Sequence, residues 1–480
     1  MSTPTNACIR TSSAQPIKRA DKLLSGCESG VGRTPFSYVT YMFTALTYKF
    51  TIRTLNRNTK HVAYCGPTLR SDLTRHGATI MMKAELEIDN LVQVRRHVCG
   101  GLGVVPEEHR TAAAVAARLK ELGVDVYTGI GQTGVVGVIE GRSKSSGLRI
   151  GLRADMDALQ IPDHQDVAHH SLCEGRMLGR GQDVHTAILL GAAEVFVDSR
   201  NFDGTLILIF QPADEGSYGA KAMLEDGLLE RFPVDSFWGL HAWPGLQLGT
   251  AAVHSGECMA AVDYFDIDVI GKGCHGGMPQ EGVDSILAAS HLVTALQSIP
   301  TRNVHPRDSA VVGVAKIHGG YEYHVHPERV TVSGSVRAHK ESVLEVLELR
   351  VRELSRSVAA AFGATVDIRY QRNYPPTIND LELARIAAKV AETVVGEGNV
   401  FQSMLPSMAA EDFSYFVRER PGCYVWLGSD EGGASHQRQH PKHESNDQLV
   451  DLGVSYWVEL VRKLLPIQTE SEHARFLLRE

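Results

Sequence analysis

The chain lacks several features that would have narrowed its function at once. It has no run of about 18 apolar residues, the length a membrane-crossing helix needs, so no segment reads as a span. It has no excess of positive charge: 48 Lys and Arg stand against 56 Asp and Glu, a net charge of −8, which gives no basis for nucleic-acid binding. It has no Cys-x-x-Cys pair. Its eight cysteines are scattered, so neither a zinc ribbon nor a disulfide framework is indicated, and a reducing, cytoplasmic setting is the simpler reading. No internal repeat is evident. What is present is ordinary for a soluble globular protein: 43% hydrophobic and 22% charged residues in a chain of 480, enough for two or three domains. The 45 glycines suit a fold with many tight loops.

The first 84 residues differ from the rest. Up to Arg75 there are eleven Lys and Arg against three acidic residues, with many Ser and Thr. Such composition also fits an organelle transit peptide, although no amphipathic Arg-rich helix stands out. Residues 1–84 are read as an N-terminal extension without an assigned role, with organelle targeting as the alternative localisation.

From residue 85 the pattern is regular. Residues 88–97 and 107–122 read as amphipathic helices, the second with Val115, Leu119 and Leu122 near one face and Gly123 ending it. Apolar strands are expected at 124–127, 134–139, 148–152, 206–210 and 237–240, and an apolar helix at 187–197. Strands alternating with helices predict an α/β class, a doubly wound catalytic domain. At Cys258 the rhythm changes. Residues 263–270 alternate with period two, as a half-solvated antiparallel strand does. The order strand-helix-strand-strand-helix-strand that follows is a ferredoxin-like α+β plan. The reading is therefore a catalytic domain in two parts, 85–257 and 373–467, with 258–372 inserted and a tail at 468–480.

Within this frame, Phe210 to Gly216 (FQPADEG) is central. The apolar run before it reads as a buried parallel strand, and Pro212 ends the ladder. Asp214 and Glu215 are thus delivered at a strand's carboxyl end, where open α/β sheets place ligand chemistry. Adjacent carboxylates repel, and a cation or a shared proton is the usual reason to tolerate them; a solvated acidic turn is the plainer reading. RADMDAL, at 153–159, puts Asp155 and Asp157 on one side of an extended segment. GRGQDVH, at 179–185, precedes a helix; GLHAWP places His241 at a strand end; GKGCHGG carries His275 on a glycine-rich loop; and HQRQHPKH, at 436–443, is rich in histidine. Each histidine alone is more often structural. Together with the carboxylates they fit a metal hydrolase site.

The succession RADMDAL, HTAILLGAA, FQPADEG, GLHAWP, GKGCHGGMP, GSVRA, AAEDFSYF and PGCYVWLG resembles the amidohydrolase branch of the aminoacylase/carboxypeptidase metallopeptidases. That branch includes hippurate hydrolases and the N-acyl- and indole-acetyl-amino-acid amidohydrolases. The resemblance covers roughly residues 91–465. It implies an inserted lid and dimerisation domain, hence a homodimer. It also implies two divalent metals (Mn, Zn or Co) and hydrolysis of a small N-acyl amino acid by a water held between them. By position, Glu215 and His241 match metal ligands, Asp214 the general base, Asp157 a supporting aspartate and His275 the lid residue that stabilises the oxyanion. Arg337 matches the arginine that meets the substrate carboxylate.

The departures from that pattern are specific. The family's cysteine ligand falls at Arg180 and a histidine ligand at Gln182. Its last histidine ligand falls at Gln439, with His440 one place later as the substitute. His324 stands where the family has asparagine, beside the substrate. An aspartate at 214 is one methylene shorter than the family's glutamate. At about 4 Å a fixed cation repels a dication by about 8 kcal/mol at an effective dielectric of roughly 20. Arg180 therefore either weakens metal binding or takes over the metal's charge and binds the carboxylate of an acyl-amino acid in a catalytically silent relative. Finally, residues 98–105 (VCGGLGVV) keep the family's length but not its sequence, a pattern that two compensating frameshifts would produce; resequencing the gene tests this hypothesis.

Overall fold

The computed structural model describes residues 108–156, 182–212, 218–430 and 448–467, with Gln182 described by its backbone alone. All belong to the unit His76–Glu480. The extension 1–84, the helix expected at 88–97, the segment 98–105 and the tail 468–480 lie outside the described residues.

The main sheet is built from β1 (Asp125–Ile130), β2 (Gly134–Glu140), β3 (Arg149–Asp155), β4 (Thr205–Gln211), β5 (Ser236–Gln247) and β6 (Ala251–Val253). Late in the chain β15 (Val400–Phe401) and β16 (Gly422–Asp430) complete it. The eight strands run in the order β1-β2-β4-β3-β5-β16-β6-β15. The helices of this part are α1 (Glu108–Glu121), α2 (Gln182–Ser199), α3 (Gly219–Glu225) and α4 (Leu228–Arg231), then α8 (Leu381–Val395), α9 (Ser414–Glu419) and α10 (Gln448–Leu464).

Strand β4 shows why the run LILIF is uninterrupted. Leu206, Leu208 and Phe210 join the cluster formed with α1, α2, α8 and α10, while Ile207 and Ile209 join the opposite cluster with Met223, Phe237 and Phe416. All five side chains are fully buried. Their transfer from water supplies on the order of 10 kcal/mol before chain entropy is subtracted. The expectation of a parallel strand needs correction on one edge: β4 is parallel to β3 but antiparallel to β2. A strand buried on both faces shows the same apolar run whichever way its neighbours point.

The second sheet is antiparallel, in the order β10-β12-β8-β13. Its strands are β8 (Ala261–Ile270), β10 (Ala310–Gly319), β12 (Arg329–Ala338) and β13 (Thr365–Tyr374). Phe265, Ile267 and Val269 pack beneath α5 (Ser285–Leu296) and α7 (Glu341–Ala361), with α6 (Ser298–Asn303) following α5. The alternate residue Asp268 accepts from Thr331 Oγ1 at 2.7 Å, Arg329 Nη1 at 3.0 Å and Arg369 Nη1 at 2.9 Å. The period-two pattern thus divides apolar contacts from cross-strand ion pairs. Short pairs complete the architecture: β7 (Glu257–Met259) with β14 (Thr377–Ile378), and β9 (Cys274–His275) with β11 (Val325–His326). No helix among the described residues is long and apolar enough to cross a membrane.

Candidate active site

From β3 the chain crosses to β4 on one side and then to β5 on the other, with Arg153 opposite Gly239. The carboxyl end of β3 and the middle of β5 therefore flank a topological switch, the place where doubly wound sheets open for ligands. Here the apolar core gives way to buried charge. The Arg153 side chain has no exposure, and its guanidinium donates from Nε to Gln211 Oε1 at 2.8 Å. From Nη2 it donates to Glu411 Oε1 at 2.8 Å and Asp412 Oδ1 at 3.1 Å. Its Nη1 lies 3.8 Å from Asp155 Oδ1. A buried ion survives only when partnered in this way. Asp412 also accepts from Gln211 Nε2, at 2.7 and 2.8 Å, and from the backbone N–H of Ala220 at 2.9 Å. Tyr424 donates its hydroxyl to Glu411 at 2.8 Å.

Next to this cluster, the first turns of α2 supply Asp183, His185 and Thr186, all buried. His185 Nε2 is 2.8 Å from the Ala242 nitrogen, a group that can only donate. Nε2 is therefore the acceptor, the ring proton sits on Nδ1, and it donates to Asp155 Oδ1 at 2.7 Å. Thr186 donates to the Asp155 carbonyl at 2.8 Å. Burial works against ionisation of Asp155, but His185 and Arg153 outweigh it and hold the carboxyl well below the usual carboxylate range. His185 in turn fixes the main chain at Ala242 and lies edge-on to His241, ring centroids 4.8 Å apart. His241 Nδ1 donates to the Ala242 carbonyl at 2.5 Å. That assigns its lone pair to Nε2, the tautomer a metal-ligating imidazole adopts.

Of the residues expected from sequence, the structure brings His241 together with the Asp155–His185 pair, and it places Asp183 on the adjoining helix turn. His275 and His324 stand together elsewhere, both exposed, His275 on β9 and His324 just before β11, with ring centroids 6.0 Å apart. His275 Nδ1 accepts from Gly277 N at 3.1 Å, so its proton is on Nε2. Arg337, on β12, donates to the Met408 carbonyl at 2.9 Å. Asp157, Arg180, Asp214, Glu215, Gln439, His440 and the Gln182 side chain lie outside the described residues. Among the described residues no three His, Cys, Asp or Glu side chains form a group that could hold a metal ion. The described part of the site offers a divalent cation one imidazole in the right tautomer and the Oδ2 of buried Asp155, which has no hydrogen-bond partner. Both are donors that suit such an ion.

Sequence reasoning missed Arg153, Gln211, Glu411 and Asp412 as one unit, and missed the role of His185. The signal was a charged residue inside an apolar strand and an acidic pair inside AAEDFSYF. Neither announces its partner.

The chain matches the model of peptidase family M20/M25/M40 over residues 151–463. It is 38% identical over 359 residues to a hippurate hydrolase of Campylobacter jejuni, covering 75% of this chain and 92% of that protein. It is 35% identical over 386 residues to an N-acetyl-L-cysteine deacetylase of Bacillus subtilis, covering 80% and 90%. Among solved structures it is similar to a dinuclear metal-binding peptidase of the M20 family from Bacillus subtilis. The TM-score there is 0.68 at 27% identity, covering 79% of this chain and 99% of that one. The succession of sequence motifs, the buried site at the switch point and these matches agree: the chain belongs to peptidase family M20/M25/M40, in its amidohydrolase branch, and its class is that of a hydrolase.

Proposed function

We infer that this hydrolase cleaves N-acyl amino acids, of the hippurate or N-acetyl-amino-acid kind, with the help of divalent metal. The observation that carries the reading is the Asp155–His185–Ala242 chain, which holds His241 in a ligand tautomer in the middle of β5, just past the stretch paired with β3. His241, Glu215 and His440 would hold the metal (Mn, Zn or Co, up to two ions). A metal there acts as a Lewis acid toward the acyl carbonyl.

The chain's own residues do the rest. Asp214 takes the proton of the attacking water and passes it to the leaving amine. The segment 258–372 acts as a lid that brings His275 to the developing oxyanion; with its proton on Nε2, the ring is already set to donate. His324 beside it and Arg337 bind the substrate carboxylate, and Asp157 is the supporting aspartate. The lid would also be the face through which two copies pair, and the scattered cysteines favour a reducing, cytoplasmic setting, with organelle targeting through residues 1–84 as the alternative.

A second reading rests on Arg180 and Gln182, which replace two expected ligands with a fixed cation and a neutral amide. In it the protein binds an acyl-amino-acid carboxylate without turnover. Metal analysis of the purified protein together with a hippurate assay separates the two. Bound Mn, Zn or Co and release of glycine support hydrolysis. No metal, no release, and a melting temperature raised by hippurate support the silent reading.

A further inference from the structure

Tyr218 is one of the described non-glycine residues with positive φ, at φ 61° and ψ 41°, the left-handed region that a residue with a β-carbon seldom occupies. Its carbonyl accepts the first bond of α3, from Ala222 N at 2.8 Å, but its side chain makes no capping bond, so the left-handed conformation is not there to place a side-chain cap. What it achieves is to send the side chain to the second sheet. The Tyr218 hydroxyl accepts from Gln371 Nε2, and its ring meets Tyr374 edge-on at 5.8 Å. Both partners belong to β13, the strand by which the chain leaves the second sheet for the main one. Tyr374 packs edge-on against Tyr415 at 6.2 Å, and the Tyr415 hydroxyl donates to the Asn373 carbonyl at 2.8 Å. Two residues after Tyr218, the Ala220 N–H is held by Asp412, whose carboxylate also binds Gln211 at the end of β4. Strained backbone persists where its surroundings over-determine it, and such places cluster at functional sites. Here one foot of the turn rests on the buried charge cluster and the other on the lid's exit strand.

We propose that Tyr218 is a positioning residue: a strut that ties the start of α3 to β13, so that movement of the lid is felt at the first turn of α3 and, through Ala220 and Asp412, at the buried charge cluster. The inference rests on the hydrolase reading for its catalytic meaning, but not for its physical test. Gln371→Ala changes the lid side alone. Hydrogen exchange of the full-length protein is then read in the peptide covering 212–222, on the other domain. The expected result is exchange about tenfold faster in that peptide, with the α1 and α10 peptides unchanged. Tyr218→Phe, which keeps the ring against Tyr374, gives a smaller rise. Tyr218→Gly, which also suits the left-handed backbone, gives the full one while the protein remains folded. In hippurate turnover, Tyr218→Gly and Gln371→Ala each lower kcat about tenfold, and the double variant falls no further, since both cut the same link. Unchanged exchange at 212–222 in Gln371→Ala overturns the strut, as does a double variant whose losses multiply. A wild-type protein without turnover overturns the hydrolase reading instead and leaves the exchange result to decide the strut.

Discussion

Arg153 and Asp268 each gather several partners of opposite charge, in different solvents. Around Arg153 the side chains of Asp155, Glu411 and Asp412 are at most 2% exposed. Around Asp268, itself nearly buried, the Arg329 and Arg369 side chains are 59% and 55% exposed. In the second sheet water stands ready to replace a lost partner. In the main sheet nothing does. The main-sheet cluster therefore behaves as a fixed frame for the site, whereas the second-sheet cluster is a surface device that screening and pH can loosen.

The largest test of that contrast is Arg153→Leu. It strands carboxylates without water, and the expected loss is about 3–5 kcal/mol, read from the urea midpoint. Arg369→Leu should shift the midpoint far less; equal shifts would erase the distinction. Next comes acid titration. Burial would raise Asp268, but the hydrogen bonds from Thr331 and Arg369 and the two arginine charges outweigh it and hold it below the ordinary 3.8. A carboxyl lowered in the fold contributes stability that is present above its unfolded value and lost as pH falls through the folded value. Asp268→Asn should therefore melt lower than wild type at pH 6, with the gap closing as the pH drops below about 4. A gap that stays constant to pH 2 would show that Asp268 does not hold its charge as argued. The smallest effect on stability belongs to His275→Ala. The ring is exposed and its Nδ1 serves only Gly277, so the urea midpoint should not move, while hippurate turnover falls on the order of a hundredfold or more. Unchanged turnover would remove His275 from the chemistry.

Much of the architecture could be read along the chain because side-chain periodicity reports burial. The run at 206–210 is apolar because both its faces are covered, and 263–270 alternates because one face carries Asp266 and Asp268. Strand direction leaves no such trace, which is why the antiparallel β2–β4 edge was not foreseen. At the site, the histidine of GLHAWP was legible, but the strand end expected there was not found: β5 runs past His241 to Gln247 because β16 continues beside it. The partners of Arg153 were not, since Glu411 lies 258 residues away. Nor was the tautomer of His185, because a backbone N–H sets it, and a backbone N–H is present at every residue except proline.

The pairing of Val262 with Tyr374 across β8 and β13 carries a consequence for how the molecule is assembled. The chain enters and leaves the second sheet at almost the same point, so once that sheet has formed, the rest of the protein experiences it as a short hairpin connection. The entropy of closing so long an excursion is then met inside the insert, by its own contacts, and grows only logarithmically with its length. Residues added to or removed from the far end of this sheet should leave the folding of the main one almost untouched.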